Sequence, residues 1–293
     1  MTSTSSSTAA SESLNPDGVE WHPSALVRDT SKTTQAHAQD NNGAARASAG
    51  FALVVLNQPL THLTVMRRLW HNASFHIAAD GGANCLYDVG PKKGDPSFDN
   101  LRIIIGDLDS LTDDVRAYFE GRSTTVIHDP DQYSTDFSKA VKHIRDRCQQ
   151  ANEATQQQHA VDIVAIGGLG GRVDQGLSQL HHLYLFQAHP RYADGRMYLF
   201  SGESLTFLLK GGCRHFIHVR EEGEVDAFGK YVGILPVKEP SRITTKGLEW
   251  DVTDWETQFG GQVSTSNHVL PETKVVEVET TRDVLFTIAL KEL

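Results

Sequence analysis

From Phe51 onward, short apolar runs alternate with apolar positions at helical spacing, and that alternation sets the expected architecture. FALVVLNQP reads as a buried strand stopped by Pro59, and HLTVMRRLWHNA spaces Leu63, Met66, Leu69 and Trp70 along one helical face. FHIAAD and LRIIIGD read as strands that end in carboxylates, and STTVIHD as a fourth, shorter strand. STDFSKAVKHIRDRC puts Phe137, Ala140, Val141, Ile144 and Cys148 on one face, with Ser134 or Thr135 as the N-cap. The polar QQANEATQQQH predicts a surface connection, AVDIVAIGG a fifth strand and DQGLSQLHHLYLFQ a further helix. Strands alternating with helices mean βα units and a mostly parallel sheet.

The pattern changes near Ser201. SLTFLLK, RHFIHV, KYVGILPV, RITTKGLEW, TKVVEVET and VLFTIALK are short, rich in β-formers and separated by turn signals. The expected fold class is therefore α/β: an N-terminal, mostly parallel α/β unit over residues 49–200, then an antiparallel β-sandwich over 201–293. Residues 1–48 are rich in Ser, Thr, Ala and Gln and predict a polar, disordered tail. Within it, GVEWHPSALV alone carries enough apolar side chains to dock locally.

Composition narrows the class of partner. A formal net charge of −10 over 293 residues disfavours a nucleic-acid backbone or an anionic membrane, both of which attract a positive field. No apolar run approaches the ~18 residues of a membrane span. Cys85, Cys148 and Cys213 lie far apart with no C-x-x-C pair, which fits a reducing, cytoplasmic setting without structural zinc. An anionic substrate then needs metal ions or a local basic group.

Carboxylates gather where the parallel strands end, the edge at which open α/β sheets bind ligands. Asp80 ends FHIAAD, Asp107 and Asp109 end RIIIGDLD, and DPDQYSTD supplies Gln132, Thr135 and Asp136. In an extended segment Asp107 and Asp109 point to one side, and like charges so close resist ionisation unless a cation lies between them. Magnesium would satisfy that demand, whereas a helix start at Asp109 or Ser110 would use the pair as a cap. GGLGGRVDQ resembles a phosphate loop without matching a named one: Val173 replaces the last glycine of a dinucleotide fingerprint, and the P-loop Lys is missing. Its N–H-rich turn, with Arg172 and Asp174, reads as an anion cradle or as a tight turn with a paired arginine. The 14 histidines show no metal-type pairing, and His181 and His182 are accounted for by solvent or helix packing.

AADGGAN, GDLDS, PDQYSTDF, GGLGGRVDQ and GLEWDVTDWETQFGGQVSTSN, in this order and spacing, resemble the thiamine pyrophosphokinase family of the eukaryotic type. The resemblance covers about Phe51 to Leu293. It implies transfer of pyrophosphate from ATP to the hydroxyethyl group of thiamine, giving thiamine diphosphate and AMP, by a homodimer with active sites between subunits. It also implies that Asp107, Asp109 and Asp136 bind Mg2+ and that Asp80, Gln132, Thr135, Arg172 and Asp174 line the ATP site. Trp250, Ser264, Ser266 and Asn267 fall on the thiamine side. Asp80, Asp107, Asp109 and Asp136 are the candidate catalytic acids, with Asp80 and Asp107 both open as the proton acceptor. Trp250 could stack on a flat cationic heterocycle or simply pack at a sandwich edge, and Ser264, Ser266 and Asn267 could bind an aminopyrimidine or form a polar turn.

Two rival classes fit the residues less well. DLDSL resembles the opening of phosphatases that form a phospho-aspartate, but Leu111 occupies their Thr/Val position and the motif follows two earlier βα strands. A binding protein without turnover would be expected to lack one of the acids, and Asp107, Asp109 and Asp136 are all present.

Overall fold

The structure, a computed structural model, describes residues 18–28, 50–156, 159–221 and 226–291. It begins with a strand, β1 (Val19–Trp21), and a 3-10 turn over Pro23–Val27. Both lie in GVEWHPSALV, so residues 18–28 are docked rather than part of a disordered tail, as the apolar side chains of that stretch allow; residues 1–17 and 29–48 fall outside the described residues. The reason is local: Trp21 is wholly buried, its ring 4.5 Å from that of Phe207 and edge-on to Tyr192. Averaging composition over 48 residues hides a three-residue strand.

Six parallel strands follow: β2 (Ala52–Val55), β3 (Phe75–Ala79), β4 (Ile103–Gly106), β5 (Thr125–His128), β6 (Ile163–Ile166) and β7 (Met197–Phe200). They lie in the order β7-β6-β2-β3-β4-β5, so the chain reverses its direction of travel between β2 and β6. Helices α1 (Leu63–Asn72), α2 (Gly82–Val89) and α3 (Asp113–Glu120) connect strands over one face. Helices α4 (Asp136–Thr155) and α5 (Val173–Leu185) cover the other. The alternation of each strand sorts the core accordingly. Leu53, Val55 and Ile104 pack with Met66, Leu69 and Leu86, while Val54, Ile77 and Ile105 pack with Phe137, Val141 and Leu183. Helix α4 runs through most of QQANEATQQQH, expected as a connection, because Ala, Gln and Glu are good helix formers and need no buried face there.

β8 (Ser204–Leu209), β10 (Phe228–Leu235), β13 (Ser264–His268) and β15 (Val284–Leu290) extend the same sheet in antiparallel pairing. Ten strands result, in the order β13-β10-β15-β8-β7-β6-β2-β3-β4-β5. Against their inner face packs a five-stranded sheet formed by β1, β9 (Cys213–His218), β14 (Val275–Thr280), β11 (Ser241–Lys246) and β12 (Trp255–Thr257). Phe207, Phe286 and Ile234 from the first sheet meet Ile217, Val276 and Ile243 from the second, which is the expected sandwich. One of its two sheets is shared with the α/β unit. Among the described residues no helix is long and apolar enough to cross a membrane.

Candidate active site

Parallel pairing places the C-terminal ends of β2 to β6 along one edge, and the predicted acids collect there. β4 ends at Gly106, a position with no room for a side chain: a Cβ there would lie 2.7 Å from the Asp80 Cβ and 2.9 Å from Asp136 Oδ1. Beyond it the chain turns rather than continuing extended. Leu108 takes the left-handed conformation (φ 64°), and the Asp109 N–H donates to Asp107 Oδ1 at 3.3 Å. The two carboxylates therefore converge through a tight turn and not through strand alternation. Helix α3 starts only at Asp113 with Thr112 as its N-cap, so the pair is not a helix cap.

Asp80 is 3% exposed and also has a positive φ. Its two carboxylate oxygens accept the Ser110 and Leu111 N–H groups, each at 3.1 Å. Asn84 on α2 adds a second tie, donating to Ser110 O at 2.6 Å and accepting from the Thr112 N–H at 3.2 Å. One oxygen each of Asp80, Asp107 and Asp109 lies within 4.8 Å of the others. Burial, and the negative charges of Asp136 and Asp109, push the Asp80 carboxyl above its ordinary pKa, against hydrogen bonding from Ser110. The Asp109 N–H and the Gln132 amide, 3.2 Å from Asp107 Oδ2, hold the Asp107 carboxyl below the usual range.

Asp136 opens α4, where the helix N-terminus favours an anion. Its Oδ1 accepts the Asp107 N–H at 3.3 Å and the Lys139 ammonium at 3.1 Å. Lys139 is 3% exposed and is a built-in countercharge for the acids. Sequence reading missed it, although a lysine three residues after a candidate acid, among the apolar positions of α4, was a usable signal. Thr135 is the N-cap of α4 and accepts the Ser138 N–H at 3.1 Å, so the expected cap is present. The hydroxyls of Thr135 and Ser138 also meet His182 Nε2 at 2.9 and 2.7 Å, with His182 Nδ1 against Ser178 O. His182 thus joins α4 to α5 as buried packing.

Two strands along, the β6 loop carries Gly167, Gly170 and Gly171 at φ 70°, 129° and 65°, a run that side chains rarely adopt. It curls over the residues that follow β2 and borders a cavity of about 410 Å3 that includes Gln58, Leu60, Gly167, Gly171 and Ser201. This is the crevice at the reversal of strand order, the usual ligand position of such sheets. Arg172 and Asp174 begin α5 and bind each other at 2.5 Å in the open. A larger recess of about 850 Å3, around Trp70, Asn100 and Arg102, lies where β3 and β4 begin, away from these acids.

The residues expected on the thiamine side are far away in the same chain. Ser264, Ser266 and Asn267 lie on β13, the outer strand at the opposite end of the ten-stranded sheet. Asn267 is 6% exposed, and its amide brackets Trp250, accepting the Trp250 N–H at 3.1 Å and donating to its carbonyl at 2.9 Å. It positions the tryptophan rather than offering a free amide. Trp250 is 55% exposed, its ring 5.0 Å from that of His268, which also lies 5.1 Å from the Tyr231 ring.

Comparison with known proteins bears on both halves. The profile of the thiamin pyrophosphokinase catalytic domain matches residues 66–192, and that of the thiamin pyrophosphokinase vitamin B1 binding domain matches residues 214–285. Thiamine pyrophosphokinase 1 of Arabidopsis thaliana is 38% identical over 252 residues, covering 83% of this chain and 87% of the relative. Thiamine pyrophosphokinase of Saccharomyces cerevisiae is 28% identical, covering 81% and 85%. The structure of thiamin pyrophosphokinase from Candida albicans superposes with a TM-score of 0.70 at 25% identity, covering 83% of this chain and 89% of that one. The crystal structure of yeast thiamin pyrophosphokinase superposes at 0.74 with 24% identity, covering 94% and 92%, which speaks for the fold. With both modules matched in order and full-length relatives on either side of the plant and fungal divide, the chain belongs to the thiamin pyrophosphokinase family.

Proposed function

We propose that this chain transfers the pyrophosphoryl group of ATP to the hydroxyethyl oxygen of thiamine, giving thiamine diphosphate and AMP. The observation that carries the reading is the convergence of Asp80, Asp107 and Asp109 beside a glycine-loop crevice, in a chain that matches both modules of the family. The alcohol oxygen bonds to the β-phosphorus, the bond from that phosphorus to the oxygen bridging to the α-phosphate breaks, and AMP leaves with the bridging oxygen. The hydroxyl proton passes to a carboxylate of the cluster. Such a transfer needs alignment and charge neutralisation more than a covalent intermediate.

Asp80, Asp107 and Asp109 are an all-carboxylate set that fits a hard divalent ion and is open to solvent at Asp109, and Asp136 adjoins it through Oδ1, which accepts the Asp107 N–H at 3.3 Å. Asp107, Asp109 and Asp136 are the proposed Mg2+ ligands; when bound there, Mg2+ supplies the charge that phosphate oxygens require. Asp80 and Asn84 keep the Asp107–Asp109 loop in register, and Lys139 offsets the negative charge of Asp136. The N–H groups of the 167–171 loop, with Arg172, receive the triphosphate. Residues 49–200 form the ATP-binding catalytic unit and 201–293 the thiamine-binding unit, on this reading.

The active unit is a homodimer. Seven inter-strand steps separate β13 from β3, roughly 34 Å along the sheet at about 4.8 Å per step. Trp250, Ser264 and Ser266 therefore reach an acidic cluster only across a subunit boundary. Three free cysteines support a cytoplasmic setting. Purified chain with ATP, Mg2+ and thiamine should give AMP and thiamine diphosphate one to one. Formation of ADP with thiamine monophosphate would refute pyrophosphoryl transfer.

A further inference from the structure

A second cluster of ion-binding side chains lies on the five-stranded sheet. β1 pairs in parallel with β9, matching Glu20 to Phe216 and Trp21 to Ile217. With Trp21 and Ile217 turned into the core, the outward side chains Glu20, His22 and His218 gather on the surface. The two imidazoles stack with centroids 4.3 Å apart and planes 19° from parallel. His218 Nε2 is 2.7 Å from Glu20 Oε2. One donor atom of each of the three residues lies within 4.8 Å of the other two.

We propose that Glu20, His22 and His218 bind one zinc-type transition-metal ion at a site separate from the acidic cluster. Two imidazoles and one carboxylate are a donor set that suits Zn2+ and leaves a position for water, whereas Mg2+ prefers oxygen alone. A support for the ligands is already in place. His22 Nδ1 is 2.6 Å from Glu221 Oε1, and the other oxygen of Glu221 accepts the Ser24 hydroxyl at 2.5 Å. Metal-ligating histidines characteristically hand their second ring nitrogen to a carboxylate, which fixes ring orientation and leaves the opposite nitrogen for the ion. The contact between His218 Nε2 and Glu20 Oε2 is what the ion would bridge. Zinc needs its ligands at about 2.0–2.2 Å, which half-exposed side chains such as Glu20 and His22 reach by rotation about their own bonds. The ion would tie segment 18–28 to a strand almost two hundred residues away, so binding is coupled to docking of that segment.

The test uses the full chain in millimolar Mg2+, which leaves nitrogen ligands free. Zn2+ titration calorimetry should give one equivalent, and Co2+ should show the visible bands of a four-coordinate nitrogen–oxygen site. His22→Gln and His218→Gln should each weaken Zn2+ binding by about 100-fold or more, and Glu221→Gln by about 10-fold. Saturating Zn2+ should raise the thermal midpoint of the wild type and of Asp107→Asn, but not of His22→Gln. Thermal midpoints in chelator identify which variants are folded. Equal Zn2+ affinity in wild type and folded His22→Gln and His218→Gln would overturn the site, as would no Zn2+ uptake by the wild type.

Discussion

His215 ties the N-terminal segment to the core in a way that acid should undo. Its imidazole is fully buried, accepting the Trp21 indole N–H at Nδ1 (3.1 Å) and donating from Nε2 to the Lys210 carbonyl (3.0 Å). Both contacts demand the neutral ring, since a protonated Nδ1 has no lone pair for Trp21. Burial pushes its pKa down from 6.5 to about 4, with the Arg196 charge adding to the effect and the Lys210 carbonyl opposing it. Because the folded value lies below the unfolded one, the unfolded chain takes up the proton first. Stability from this group is therefore full above pH 6.5, declines as pH falls, and is lost entirely below about 4. A gap of about two and a half pH units, at ~1.4 kcal/mol each, amounts to about 3.5 kcal/mol in full, of which about 3 kcal/mol is lost by pH 4. Urea unfolding at stepped pH from 7.5 to 4 measures it, with His215→Gln as the comparison, since a glutamine amide can donate to Lys210 without titrating. The wild type should lose about 3 kcal/mol more than the variant across that range. Parallel pH profiles for the two proteins would refute the reasoning.

Trp21→Ala should cost about 3–5 kcal/mol in denaturant unfolding, as expected for a buried aromatic, and a cost near zero would return residues 18–28 to the status of a tail. Lys139→Met should leave stability within ~1 kcal/mol, because Asp136 stays partly solvated, yet lower kcat at least tenfold. Unchanged kcat would remove Lys139 from the charge balance of the site. Asn267→Ala should raise KM for thiamine with little change in KM for ATP, and the opposite split would misplace Trp250. At thiamine levels too low for Trp250→Ala to turn over, mixing it with inactive Asp107→Asn should restore part of the activity if sites form between subunits; no recovery in a mixture that exchanges subunits would count against the dimer.

The elements were legible wherever one-dimensional pattern carries the physics. β2, β3, β4, β5 and β6 and helices α1 and α5 fall where apolar runs and helical spacing put them; α4 starts there too, capped by Thr135, but runs on past Cys148 to Thr155. Strands β12 and β13 were not, because WET and STSNH carry little apolar signal and owe their conformation to pairing with β11 and β10. The acids Asp80, Asp107, Asp109 and Asp136, with Gln132 beside Asp107, lie together at the sheet edge to which the strand ends assigned them. The turn at Leu108 was invisible, since a leucine at positive φ is imposed by neighbours and not by its own preference. Asn84 was hidden for a related reason, since its importance lies in the Ser110 carbonyl it meets across the fold, whereas Lys139, one helical turn from Asp136, was within reach of helical spacing.

The ten-stranded sheet has a mechanical meaning for this enzyme. Tyr198, Leu199 and Phe200 of β7 pair with Phe207, Thr206 and Leu205 of β8, so the seam between the two units is itself a hydrogen-bonded ladder. A molecule joined that way cannot open like a clam about its middle; admitting ATP and releasing product must fall to the loops along the sheet edge. The same ladder makes the halves inseparable as proteins. A chain cut after Phe200 would bare β7 along its whole length, and a fragment beginning at Ser204 would bare β8, each a sticky edge in search of a strand.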